Sequence, residues 1–187
     1  IQILVDEGLL VTRKGSGAFV VGEKKQFEMD QFPGYKKSLR EKNAKELAEV
    51  LVNSPRLAGP YYADLFDISE QDEIHYVKRM LKTRNSPVSI EKFYIPLSLI
   101  PNMESIDFSI FSAREVLDFY NIEIHKTTET LEVVYVDYKM SKRLEVKEDT
   151  PVFLFSVIGT DNKGITVFHY ENSTRYDKAE FVVSYSE

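Results

Sequence analysis

Residues 74–96 read Ile-His-Tyr-Val-Lys-Arg-Met-Leu-Lys-Thr-Arg-Asn-Ser-Pro-Val-Ser-Ile-Glu-Lys-Phe-Tyr-Ile-Pro. Two runs rich in β-branched and aromatic residues, Ile74 to Thr83 and Val88 to Ile95, flank an Asn-Ser-Pro turn, and this pattern predicts a pair of adjacent strands. Working outward, Thr128 to Val136, Val152 to Gly159, Ile165 to Arg175 and Phe181 to Tyr185 predict further strands of a mainly antiparallel sheet. Asp161-Asn162-Lys163-Gly164 supplies the turn chemistry for a hairpin between two of them. Ser109 to Tyr120 places Ile110, Phe111, Val116, Leu117 and Tyr120 at helical spacing, with Ser109 or Ser112 as the cap, and Ser141 to Leu144 predicts another short helix. Helices interspersed among strands make an α+β fold. Ala44 to Val52 is ambiguous: Leu47, Ala48 and Leu51 suit a helix, whereas Val50 and Val52 suit a strand.

The chain of 187 residues is 43% hydrophobic and 29% charged, the composition of a globular protein large enough for a conventional core. It contains no cysteine, which excludes disulfides, thiolate metal sites and cysteine nucleophiles and is compatible with a cytoplasmic location. No apolar run approaches the roughly 18 residues needed to cross a bilayer as a helix, so no membrane partner is expected. Asp6 and Glu7 stand where a signal peptide would be basic, and an apolar pattern already under way at Ile1 gives the expectation of a truncated chain. The formal net charge of −6 argues against a polyanion partner for the bulk of the protein. Residues 1–22 are an exception, since Arg13 and Lys14 balance Asp6 and Glu7 and both cations fall together.

Ile1, Leu4, Val5 and Gly8 fit the last turns of a helix closed by glycine. There follow an apolar run at Leu9 to Thr12, a basic glycine turn at Arg13-Lys14-Gly15-Ser16-Gly17, and a second apolar run at Ala18 to Val21. A hairpin tip of this kind can approach a phosphate backbone, its glycines admitting close contact and its cations supplying attraction; an ordinary surface hairpin has the same outline. The string Glu7-Gly8-Leu9-Leu10, Arg13, Lys14-Gly15-Ser16-Gly17, Phe19-Val20 closely resembles the end of the winged helix-turn-helix domain of GntR-family transcription regulators. On this resemblance residues 1–22 are the helix end and wing of that domain, with Arg13, Lys14, Gly15, Ser16 and Gly17 as DNA-contacting positions. The polar stretch 23–34, ending in Pro33-Gly34, reads as a linker, and Tyr35 to Asn43 as a short solvated helix.

Tyr76-Val77-Lys78-Arg79, Ser86-Pro87-Val88-Ser89-Ile90-Glu91-Lys92-Phe93-Tyr94-Ile95-Pro96, Ile110-Phe111 with Leu117 and Tyr120, Leu144 to Thr150 before Pro151, and Thr174-Arg175-Tyr176-Asp177 before Phe181 follow one another in order. Through them residues 35–187 resemble the effector-binding UTRA domain of the HutC subfamily. The resemblance implies a chorismate-lyase-like fold with a strand near Glu46 to Val52, a small-molecule effector such as a phosphosugar, a homodimer, and operator DNA as partner of the full-length regulator. Related regulators often present two arginines one residue apart on the strand before the Asn-Ser-Pro turn; here Arg79 is kept and Leu81 takes the second place. The resemblance also places Glu91, the loop Gly34-Tyr35-Lys36, Tyr170 and Arg175 at the effector. Tyr94 is expected to pack, with its hydroxyl hydrogen-bonded.

No cofactor or metal is expected. Asp64, Asp67, Glu70, Asp72 and Glu73 lack the glycine and closing glutamate of a calcium loop and read as a solvated acidic loop. His75, His125 and His169 stand apart, without zinc-hydrolase spacing, and no Gly-x-Ser-x-Gly elbow occurs. The leading expectation is a ligand-responsive transcription regulator, most simply a repressor. The alternatives are a chorismate-lyase-like enzyme or a sensor-only binding protein.

Overall fold

The computed structural model describes residues 10–13, 17–20, 46–83 and 86–178. They fall in two units, one within Ile1–Phe32 and the other within Pro33–Glu187. In the first, β1 (Leu10–Arg13) and β2 (Gly17–Val20) form an antiparallel ribbon whose last pair is Arg13 opposite Gly17. The expected hairpin is present, with Arg13 and Gly17 closing its ladder instead of lying in the turn. Lys14, Gly15 and Ser16 lie outside the described residues, as do the helical turns expected before Gly8, the 23–34 linker, Tyr35 to Asn43 and Phe181 to Tyr185.

The second unit is a six-stranded antiparallel sheet in the order β3-β4-β5-β8-β7-β6. Its strands are β3 (Glu46–Leu57), β4 (Glu73–Thr83), β5 (Ser86–Pro96), β6 (Lys126–Tyr135), β7 (Pro151–Thr160) and β8 (Thr166–Arg175). The described part of the ambiguous segment, from Glu46 to Val52, is strand, because its pairing with β4 outweighs a weak helical propensity. Leu51 is an extra residue in that ladder: Val50 faces Arg79 and Val52 faces Lys78, a β-bulge.

Alternation along the strands gives the sheet two faces. On the first, Val77, Phe93, Ile95, Val157 and Phe168 pack with Ile100, Met103 and Phe108 and with Val116 and Leu117 of α2 (Ala113–Phe119). On the second, α1 (Gly59–Phe66) seats Ala63 and Phe66 against Ile74 and Tyr94, and α3 (Tyr138–Leu144) seats Leu144 against Ile90 and Val152. No described helix is long and apolar enough to cross a membrane.

Each helix has a local cause. Ser112 Oγ accepts from Glu115 N–H at 3.2 Å while Glu115 Oε2 accepts from Ser112 N–H at 2.8 Å, a reciprocal box that starts α2 at Ala113 and makes Ser112, the second of the two expected caps, the one used. Asp107 Oδ1 instead accepts from Ser109 N–H at 2.9 Å and holds a turn there. Asp137 Oδ1 accepts from Met140 N–H at 2.7 Å, so α3 begins a turn before the expected Ser141. Helix α1 departs from the acidic loop expected between residues 64 and 73. The five carboxylates are exposed as anticipated, yet Asp64 stands on α1 and Glu73 opens β4. Gly59, at φ +64°, and Pro60 in the first turn are its start signal.

Gly159 of β7 faces Phe168 of β8 so closely that a Cβ there would sit 2.1 Å from the ring, which is itself buried in the first-face core. Gly159→Ala is expected to destabilise the domain by about 1–3 kcal/mol, measured by urea unfolding against wild type.

Candidate functional site

The first face gathers charge around β4 and β5. Arg79 lies opposite Glu91, Glu91 opposite Asn172, and Phe93 opposite Tyr170, so Arg79, Glu91 and Tyr170 converge on one surface. Arg79 is 9% exposed and Glu91 4%. Arg79 Nε donates to Glu91 Oε2, and the Tyr170 hydroxyl donates to Glu91 Oε1 at 2.5 Å. Burial first, and then the Glu91 carboxylate, push the Tyr170 hydroxyl well above the ordinary tyrosine range, so it remains a proton donor.

The guanidinium also reaches away from the sheet. Arg79 Nη1 donates to the carbonyl oxygens of Phe108 and Phe111, each at 3.0 Å, tying down the segment that leads into α2. A second clamp holds that segment further back: Asn53 Nδ2 donates to Glu104 O at 3.2 Å and Ile106 O at 3.0 Å. The fully buried His75 fixes Asn53 through Nε2 to Oδ1 at 2.7 Å. Burial holds the His75 pKa below the ordinary range, so the ring is neutral and Nε2 carries its proton.

Between the charged group and the apolar Val77, Phe93 and Phe108 lies a cavity of about 10 Å³, the lower limit for a single water. A metabolite enters only if the covering segment moves. Beside it, Asn172 Oδ1 accepts from Thr174 Oγ at 2.9 Å, and the buried Ser89 hydroxyl finds no hydrogen-bond partner among the described residues.

Of the sequence-predicted effector residues, the structure brings Arg79, Glu91 and Tyr170 together and leaves Arg175 elsewhere. Tyr170 and Arg175 are five residues apart, an odd separation, and so point to opposite faces. Arg175 makes a bidentate pair with Asp177, at 2.9 and 2.7 Å, and donates to Leu144 O at 3.2 Å, capping the end of α3. Gly34, Tyr35 and Lys36 lie outside the described residues. Leu81 is buried, so among the described residues Arg79 is the cation that serves the cluster. Tyr94 packs as expected, stacked between Tyr62 and Tyr76 at centroid distances of 4.4 and 4.8 Å. Ser89, Asn172 and Thr174 were not foreseen; counting in twos from Glu91 and Tyr170 would have found them.

A family model described as the UTRA domain matches residues 43–180, which include the whole sheet and all three described helices. The chain belongs to the UTRA domain family. An uncharacterised HTH-type transcriptional regulator of Bacillus subtilis, YurK, is 27% identical over 143 residues, covering 76% of this chain and 59% of the relative. The mannosyl-D-glycerate transport/metabolism system repressor MngR of Escherichia coli is 21% identical over 149 residues, covering 80% and 62%. The chain thus spans roughly three fifths of these relatives. Among solved structures, the effector domain of PhnF from Mycobacterium smegmatis superposes with a TM-score of 0.72 at 17% identity, covering 82% of this chain and 96% of that one. The UTRA fold therefore carries the Arg79 cluster on a sheet shared with effector domains.

Removing one member of a buried ion pair strands the other. Glu91→Ala is expected to cost about 3–5 kcal/mol in urea unfolding. Arg79→Met combined with Glu91→Met is expected to recover most of that loss, because the apolar pair needs no desolvated charge.

Proposed function

We propose that this chain is the sensor of a GntR-type, HutC-subfamily transcription regulator, a repressor whose affinity for operator DNA is set by a small polar metabolite. In this reading residues 1–22 are the end of a winged helix-turn-helix domain with Arg13 to Gly17 at the wing, 23–34 the linker and 35–187 the sensor. The regulator works in the cytoplasm as a homodimer. The observation that carries the reading is the buried Arg79–Glu91–Tyr170 group whose guanidinium holds the Phe108 and Phe111 carbonyls.

An anionic group of the effector competes with those carbonyls for Arg79 Nη1, and a carboxylate or phosphate wins because both partners are charged. Glu91 and Tyr170 are then placed to bind hydroxyls or an amine. Release of the carbonyls frees the segment just before Ser112, so α2 moves with it and binding becomes a change of shape. With Leu81 beside a single arginine, the effector is a phosphosugar held by one cation, an uncharged sugar or an organic acid. The likeness to a mannosyl-D-glycerate transport/metabolism system repressor supports the sugar class. The reading is of a binding protein and not of an enzyme: each charged group of the cluster holds another group in place.

The dimer surface is argued from β6, the edge strand. Leu131, Val133 and Tyr135 alternate on the first face, 49%, 59% and 70% exposed, beside Phe153 and Phe155 of β7. An apolar stripe on a strand that stands at the sheet edge among the described residues favours a second copy of the chain.

Thermal-shift screening against phosphosugars, neutral sugars and organic acids is expected to yield a ligand whose affinity falls about tenfold or more in Arg79→Ala and Glu91→Gln and is unchanged in Arg175→Ala. Equal binding by all three variants overturns the site. Val133→Asp is expected to convert the dimer to monomer in sedimentation velocity.

A further inference from the structure

The second face carries a charged row that the effector reading does not use. Lys78 of β4 lies opposite Lys92 of β5, and Lys92 lies opposite Glu171 of β8, to which its Nζ donates at 2.8 Å. This row separates the two apolar clusters of the face: Tyr76 and Tyr94, one pair along the strands, pack with α1, and Ile90, one pair the other way, packs with α3. Lys78 is partly buried and has no ion-pair partner among the described residues.

Helix α3 adds Lys139 and Arg143, exposed and four residues apart, on one side of the helix. Burial, then Lys92, Arg143 and Lys139, pull the Lys78 pKa down; Asp137 is the carboxylate that opposes them. At the α1 end Arg56 stands over the rings of Tyr62 and Tyr76, at 5.5 and 5.6 Å. Five cations therefore meet two carboxylates, Asp137 and Glu171, in a domain that is acidic as a whole.

Each of these juxtapositions is unfavourable by itself. Like charges directly opposite on adjacent strands repel, like charges at i and i+4 of a helix repel, and a desolvated lysine without a counterion adds its own cost. All three involve the charged row between the two clusters or the cations of α3 that act on Lys78, and a multiply charged anion converts each of them into an attraction.

We propose that the charged row of Lys78 and Lys92, with Lys139 and Arg143 of α3 beside it, binds a phosphate-type oxyanion at a site separate from the Arg79 cluster on the opposite face. Lysines act here as point charges and need no forked geometry. The free ion and a phosphate monoester share the chemistry that these cations recognise.

The test is thermal unfolding of the chain in chloride and in inorganic phosphate at matched ionic strength, repeated with glucose 6-phosphate. Inorganic phosphate is expected to raise the Tm of wild type and of Arg79→Ala by the same increment; glucose 6-phosphate is compared in the Arg79→Ala background, where the effector site is disabled, and the tighter of the two there tells ion from ester. In Lys78→Met the Tm in chloride rises, because a repelled and desolvated charge is gone, and the phosphate-dependent increment is lost. Lys139→Ala with Arg143→Ala, exposed positions that leave the core intact, weakens phosphate about tenfold or more. The proposal is overturned if Arg79→Ala, and not Lys78→Met, removes the increment, or if chloride at equal ionic strength reproduces it.

Discussion

Strand β5 lies inside the sheet and is buried at every position except Ser86 and Lys92. Both faces of the sheet must therefore be covered, and the described helices available are short: 8 residues in α1, 7 in α2 and 7 in α3. Three such helices cannot blanket two faces of six strands. The first face is completed by the irregular segment around Met103 to Phe111, whose backbone carbonyls need donors. On the second face the Lys78–Lys92 pair lies between the clusters that pack with α1 and with α3.

The Arg79–Glu91 pair differs from ordinary packing. Burying two charges gains little net stability even when they meet, because desolvation offsets most of the attraction. What the pair supplies is a guanidinium already stripped of water and oriented by a carboxylate, with donors to spare for the Phe108 and Phe111 carbonyls. Those carbonyls are neutral acceptors, weaker than any anion for the same N–H groups. The covering segment is held by a bond that a better acceptor can take, while Asn53 and His75 hold its near end independently.

Much of this fold was legible because strands announce themselves every second residue: β4, β5, β7 and β8 fall within two residues of the expected bounds. Strand β3 came only through the family resemblance, which put a strand near Glu46 to Val52, since Leu47, Ala48 and Leu51 carry a helical pattern that pairing with β4 overrules. Helix α1 was hidden by its brevity and by the carboxylates around it, although Gly59-Pro60 marked its start. In the site, Arg79, Glu91 and Tyr170 were reached through family resemblance, and the register then explains why they meet. Arg175 was drawn in by the same resemblance against its parity. The carbonyls of Phe108 and Phe111 had no signature to find, because a backbone oxygen is present at every residue and its use depends on the course of the chain alone.

The bulge at Leu51 acquires a meaning from its neighbours. It stands between Val50, opposite Arg79 of one face, and Val52, opposite Lys78 of the other. Alternation makes a strand a two-state object: a slip of one residue turns every side chain over. A ladder that already contains one spare residue can take up or give back that slip without breaking its remaining pairs. At this point of β3 the spare residue changes the phase of the ladder, so that two valines two positions apart meet the central cations of opposite faces, Arg79 and Lys78.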